Sequence, residues 1–85
     1  MDSFEKLKNL PCEVIKAEGR FTGNYELNLR VIDGTFRLSY EMDLGWSDET
    51  VVYPESWSGN SWEEVIDKAT KFFDDNFGKY KLVRY

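Results

Sequence analysis

The feature that most constrains the fold is a pair of alternating segments joined by Asp33-Gly34. Apolar residues occupy every odd position from 25 to 31 and every even position from 36 to 44. Asp-Gly between two such segments is the strongest short-range signal for a two-residue hairpin turn. Turn chemistry and hydrophobic pattern therefore agree on one antiparallel register. The predicted apolar pairs are Val31–Phe36, Leu29–Leu38, Leu27–Tyr40 and Tyr25–Met42.

A third strand is predicted before this hairpin. Ile15, Ala17 and Phe21 are apolar at odd positions, and charged residues lie between them. A three-residue loop would keep this row on the same face as Tyr25 and Leu29. The expected pairs are then Phe21 with Tyr25 and Ala17 with Leu29.

Two segments have helical character. A short helix is predicted over residues 2–9 and ends at Pro11. A longer helix begins after Asn60 or Ser61 and ends at Gly78. The apolar residues of this longer helix fall within about 140° of its circumference, which is typical of a helix that packs on a sheet. They are Trp62, Val65, Ile66, Ala69, Phe72, Phe73 and Phe77.

The predicted fold class is α+β. A short edge strand is predicted at 50–53, before Pro54, within a region rich in Gly, Ser and acidic residues. Residues 79–85 suit either a last strand or a tail. The architecture is a two-layer sandwich, in which a long C-terminal helix and a short N-terminal helix cover a three- to four-stranded antiparallel meander. No linker or repeat divides the sequence, so residues 1–85 are expected to form one domain.

The composition includes few of the residue types and motifs on which catalytic sites depend. The sequence has no histidine, the commonest general base and metal ligand, and its one cysteine, Cys12, cannot form an internal disulfide. Neither a Gly-rich phosphate loop nor calcium-loop spacing is present. We therefore expect a non-enzymatic protein with no cofactor and no metal. The N-terminus lacks an apolar signal core and no apolar run could span a membrane, which favours a cytoplasmic protein.

Charge is segregated along the sequence. The net charge is −5, and half of the 16 acidic residues lie between Leu38 and Asp67, a segment without Lys or Arg. Aromatic residues lie in the same segment, and aromatic anchors among carboxylates suit a basic protein partner. The predicted partner-binding residues are Trp46, Asp48, Glu49, Tyr53, Glu55, Trp57, Glu63 and Asp67. A structural interpretation competes with this one, because acids complement a helix N-terminus and Trp46 or Trp57 could cap a thin core.

The predicted hairpin also places like charges opposite each other, Arg30 with Arg37 and Glu26 with Glu41. Such pairs are unfavourable, so we expect these side chains to pair diagonally on a solvated sheet face. The alternative is an arginine patch, formed by Arg20, Arg30 and Arg37, that contacts an acidic partner.

The order of elements is similar to that of double-stranded RNA-binding domains. Those domains place lysines at the start of the last helix to bind phosphates. This sequence has Asn60-Ser61-Trp62-Glu63-Glu64 there, and its two glutamates would repel phosphates. Size, acidity and architecture also resemble those of small phage-encoded inhibitors of host defence, including anti-CRISPR proteins. That resemblance implies an inhibitor of a larger host protein.

Two functions are therefore expected. The first is an acidic binding protein that occludes a basic surface, since carboxylates can imitate the phosphate path of a nucleic acid. It would not bind nucleic acid or a membrane directly. The alternative is a small structural or assembly subunit that pairs through an edge strand or the aromatic loop.

Overall fold

The chain forms a five-stranded antiparallel sheet with helices packed on one side. The computed structural model describes residues 3–45 and 49–84. The elements in chain order are α1 (Ser3–Leu7), β1 (Glu13–Glu18), β2 (Phe21–Ile32), β3 (Thr35–Asp43), β4 (Thr50–Gly59), α2 (Trp62–Asp75) and β5 (Lys81–Val83). The strand order is β4-β3-β2-β1-β5, α2 packs on β3 and β4, and α1 contacts α2. The predicted α+β sandwich is confirmed, with more strands than expected.

The β2–β3 hairpin has the predicted register. Asp33 and Gly34 form the turn with φ values of 50° and 78°, the left-handed conformation that a two-residue hairpin turn requires. The pairs include Val31↔Phe36, Leu29↔Leu38 and Leu27↔Tyr40. Local turn chemistry and the apolar alternation are thus sufficient to set this part of the sheet.

The predicted β1–β2 connection was wrong. The chain turns before Phe21, at Gly19, whose φ of 61° glycine adopts without steric cost. The observed register is Glu18↔Phe21, Ala17↔Thr22, Lys16↔Gly23, Ile15↔Asn24 and Val14↔Tyr25. Side chains alternate along a strand, so Val14, fully buried, shares the core face with Tyr25, and Ile15 lies on the opposite face.

Strand β4 continues past the predicted end of the edge strand. Its pairing with β3 shifts register between Ser39 and Glu41, which accommodates the segment around Pro54 as an irregularity in the ladder. Pairing then resumes as far as Gly59. The residues after Pro54, expected to be loop, are therefore strand.

The core lies between α2 and the helix-side face of the sheet. Trp57 lies in β4 opposite Leu38 of β3 and is only 8% exposed, so it belongs to the core, as the structural interpretation of the sequence allowed. The prediction that Phe77 belongs to the buried stripe was wrong, because α2 ends at Asp75 and Phe77, two residues further on, is 84% exposed. The buried hydrophobic residues are Leu10, Val14, Tyr25, Leu38, Tyr40, Trp57, Val65, Ile66, Ala69 and Phe73.

Within the described ranges, neither helix has the length and apolar content needed to cross a membrane.

Candidate binding site

The predicted aromatic anchors do not form a shared exposed surface among the described residues. Trp46 and Asp48 lie outside the described residues, and Trp57 is in the core. Tyr53 is half-buried, with its ring centroid 5.3 Å from that of Tyr25 and 5.9 Å from that of Tyr80. Both described aromatic residues therefore pack within the fold.

Two of the predicted carboxylates form ion pairs between the helices. Lys6 of α1 contacts Glu63 and Asp67 of α2 at 3.0 and 3.3 Å. The hydrogen bond to Glu63, supported by Asp67, raises the pKa of Lys6. The two remaining described carboxylates lie elsewhere: Glu49 and Glu55 are exposed, one immediately before β4 and one within it.

Glu64, another carboxylate of the acidic segment, has a structural role at the start of α2. The N-cap Ser61 accepts a hydrogen bond from the Glu64 backbone N–H at 3.2 Å. The Glu64 carboxylate in turn accepts the Asn60 N–H at 2.6 Å and lies 3.5 Å from the Lys68 ammonium. The Asn60 N–H, and then Lys68, lower the pKa of Glu64. The predicted helix cap is thus confirmed.

A different set of carboxylates meets on the sheet face that carries no described helix, which we call the open face. Glu13 pairs with Glu26 and Glu26 pairs with Glu41, so three glutamates lie side by side on β1, β2 and β3. Asp43 lies on the same face, two residues after Glu41. From β2 and β3 the open face carries Glu26, Asn28, Arg30, Arg37, Ser39, Glu41 and Asp43.

An open concavity of about 590 Å³ lies at this acidic end of the open face. We call it the acidic concavity; residues that line it include Glu26, Asn28, Arg30, Glu41, Asp43 and Thr50. Among the described residues that line the concavity, three carboxylates thus accompany one cationic side chain. Glu49, from the predicted site, directly precedes Thr50 in the sequence.

The three carboxylates differ in their surroundings. The Glu41 side chain is 9% exposed, with Oε1 lying 3.1 Å from Arg30 Nη2 and Oε2 accepting a hydrogen bond from the buried Ser39 hydroxyl. Glu26 and Asp43 are exposed, and neither forms an ion pair within the described ranges. Arg30 therefore satisfies Glu41, while Glu26 and Asp43 present negative charge to solvent.

The sequence contained a signal for this surface. The hairpin register had already placed Glu26 opposite Glu41, and the Arg30–Glu41 contact confirms the expected diagonal pairing. The position of Glu13 could not be predicted, because it depends on the turn at Gly19. In the part of the chain that the structure describes, no cluster of His, Cys, Asp or Glu is arranged to hold a metal ion.

No family model, curated protein or solved structure matches this chain. The geometry and charge of the described residues therefore carry the functional argument.

Proposed function

We propose that this protein is a small, acidic, non-enzymatic binding protein that occludes a basic surface of a larger protein. Its docking surface is the acidic end of the open face. The observation that carries the proposal is the acidic concavity, where Glu26 and Asp43 are exposed and unpaired within the described ranges. Carboxylates arranged in this way attract lysine and arginine side chains and accelerate encounter with them.

The length of the row of glutamates on the open face supports a partner that normally binds nucleic acid. Neighbouring strands lie ~4.8 Å apart, so the row from Glu13 through Glu26 to Glu41 extends about 10 Å. Four consecutive phosphates of one strand, separated by three steps of ~3.4 Å, rise a similar distance along the helix axis. A basic groove that contacts phosphates over this distance could therefore contact Glu13 and Glu26 of this row and the neighbouring Asp43, while Glu41 remains paired with Arg30. The chain resembles phage-encoded inhibitors of host defence in size and charge. As an inhibitor of this kind it would act in this way in the host cytoplasm.

The test pairs an open-face variant with a control of equal charge. Glu26→Lys with Asp43→Lys reverses two charges at the acidic concavity, and Asp74→Lys with Asp75→Lys makes the same change at exposed positions of α2. Binding of a labelled arginine-rich peptide is measured by fluorescence anisotropy in low salt. We expect the open-face variant to weaken binding at least about tenfold and the control less than about threefold. Equal weakening would show that net charge, rather than the open face, determines binding.

Capture from host lysate extends the test to a natural partner. A protein retained by the wild type but not by the open-face variant should be released by added duplex DNA and by ~0.5 M salt. A captured protein that DNA cannot displace would contradict competition with nucleic acid.

Assembly through an edge strand is less well supported. On the outer strand β4, the Ser58 carbonyl accepts a hydrogen bond from Lys68 Nζ at 2.9 Å, and the ladder is irregular near Pro54. A helix side chain that occupies a carbonyl of the outer strand and an interrupted ladder both discourage pairing between edges. The mass in solution is therefore expected to be that of a monomer. A dimer abolished by a second proline in β4, at Ser56, would favour the assembly function.

A further inference from the structure

A second concavity, of about 470 Å³, is lined by β1, by residues 79–81 and by Tyr53 of β4. It forms because β1 and β5 differ in length. Their pairing ends at Ile15 and Lys81, while β1 continues to Glu18. The chain leading into β5 turns away at Lys79 and Tyr80, which leaves a notch beside the last residues of β1.

Lysines border this notch on both faces of the sheet. Lys16 lies on the helix side beside Tyr53, whereas Lys81, paired with Ile15, lies on the open face. Lys79 also lines the notch, and among the described lining residues Glu18 is the one carboxylate. Lys79 and Lys81 are exposed and have no ion pair in the described ranges. Lys16 lies 3.8 Å from Glu18, but the two side chains are 40% and 77% exposed, and ion pairs with this access to solvent are weak. A ligand could therefore compete with Glu18 for Lys16.

The wall of the notch is aromatic and held by packing. Tyr53 and Tyr80 line it, and their ring centroids lie 5.9 Å apart. Tyr80 stacks on Phe72 of α2 at 5.7 Å. The Lys16 ammonium lies 5.1 Å from the centroid of the Tyr53 ring, a distance that permits a cation–π contact. At least one cation is thus positioned over a ring that is itself fixed by neighbouring rings.

We propose that this notch binds a small anion of the phosphate class. The described residues that line the notch include three lysines and one glutamate, a net charge of +2 that attracts a phosphate monoester of about −1.5 to −2 at pH 7 from both faces of the sheet. Ammonium groups bind phosphate as point charges, and phenol hydroxyls can donate additional hydrogen bonds. This proposal is independent of the proposed function. The notch would bind an anion, whereas the acidic concavity would bind a basic protein surface, and the two sites share no residues.

Titrations followed by amide shifts of the full chain test the proposal at constant ionic strength. The probes are inorganic phosphate, adenosine monophosphate and adenosine. We expect saturable shifts at Lys16, Lys81 and their neighbours with both phosphate-bearing probes, and none there with adenosine. Equal affinity for the two phosphate-bearing probes would identify the phosphate group as sufficient, whereas tighter binding of the nucleotide would identify a nucleotide ligand. Absence of saturation by about 20 mM would overturn the proposal.

A matched pair of variants locates the site. Lys79→Gln with Lys81→Gln should raise the Kd for phosphate at least about tenfold, while Lys8→Gln with Lys71→Gln, an equal charge change at exposed positions elsewhere, should change it less than about twofold. All four substitutions are at exposed positions, so both variants should keep the melting temperature of the wild type. An equal loss of affinity in the two variants would show that binding follows overall charge and would refute a site in the notch.

Discussion

Replacing Trp57 with alanine tests the arrangement of the core most directly. The Trp57 ring is 8% exposed, and its centroid lies 6.3 Å from that of Tyr40 and 5.4 and 5.8 Å from those of Phe72 and Phe73. Truncation removes these contacts and leaves a cavity between the sheet and α2. Such substitutions of buried aromatic residues cost about 3–5 kcal/mol. Because a small domain has roughly 5–15 kcal/mol of total stability, Trp57→Ala should lose a large part of it.

Thermal and urea unfolding, followed by circular dichroism, measure this loss. For a domain of this size 1 kcal/mol shifts the melting temperature by about 4–8 °C, so we expect Trp57→Ala to melt at least ~12 °C lower. Phe77→Ala is the matched control, since it also deletes an aromatic ring but from a side chain that is 84% exposed. Its melting temperature should stay within a few degrees of the wild type. If the two variants melted together, Trp57 would not be part of the core.

Four further substitutions test other parts of the fold. Leu38→Asp should abolish the folded dichroism spectrum, because Leu38 is fully buried, whereas Leu29→Asp, at a position 37% exposed, should only lower the melting temperature. Gly19→Ala should destabilise by about 1–2 kcal/mol in urea, because alanine is strained at a φ of 61°, although no atom lies within 4 Å of the added Cβ. Glu64→Gln should destabilise at pH 7. The pKa of Glu64 in the folded protein lies below its ordinary 4.5. The loss in free energy of unfolding relative to the wild type should therefore persist above pH 4.5 and disappear as the pH falls through the pKa of the folded protein.

The β2–β3 hairpin was predictable because two independent signals specify one register. Asp33-Gly34 selects a two-residue turn, and the apolar alternation on either side agrees with it. The turn at Gly19 has no such support. Its flanking residues are charged or polar, and an apolar row at odd positions of β1 favoured the other parity. The β1 residue that reaches the core is Val14, which alone gives too little pattern to choose between the two registers.

The position of Trp57 was obscured by Pro54. Proline lacks the N–H that a sheet ladder needs, so the sequence favours ending the strand before it. In the structure the ladder shifts register near Pro54 and continues, because Ser56, Trp57 and Ser58 again find partners on β3. That outcome depends on contacts between two strands and on α2 packing over them, which local sequence does not encode.

The distribution of carboxylates shows why a charged segment need not form a charged surface. The acidic segment from Leu38 to Asp67 folds into a strand, an edge strand and the first turns of a helix, and these elements point its carboxylates in several directions. Glu63 and Asp67 form ion pairs with Lys6. The acidic row on the open face instead draws Glu13 and Glu26 from outside the segment, because pairing of neighbouring strands brings distant residues to adjacent positions. The positions of these carboxylates depend on strand register. A sequence-based search for such a surface therefore requires the correct assignment of the β1–β2 turn.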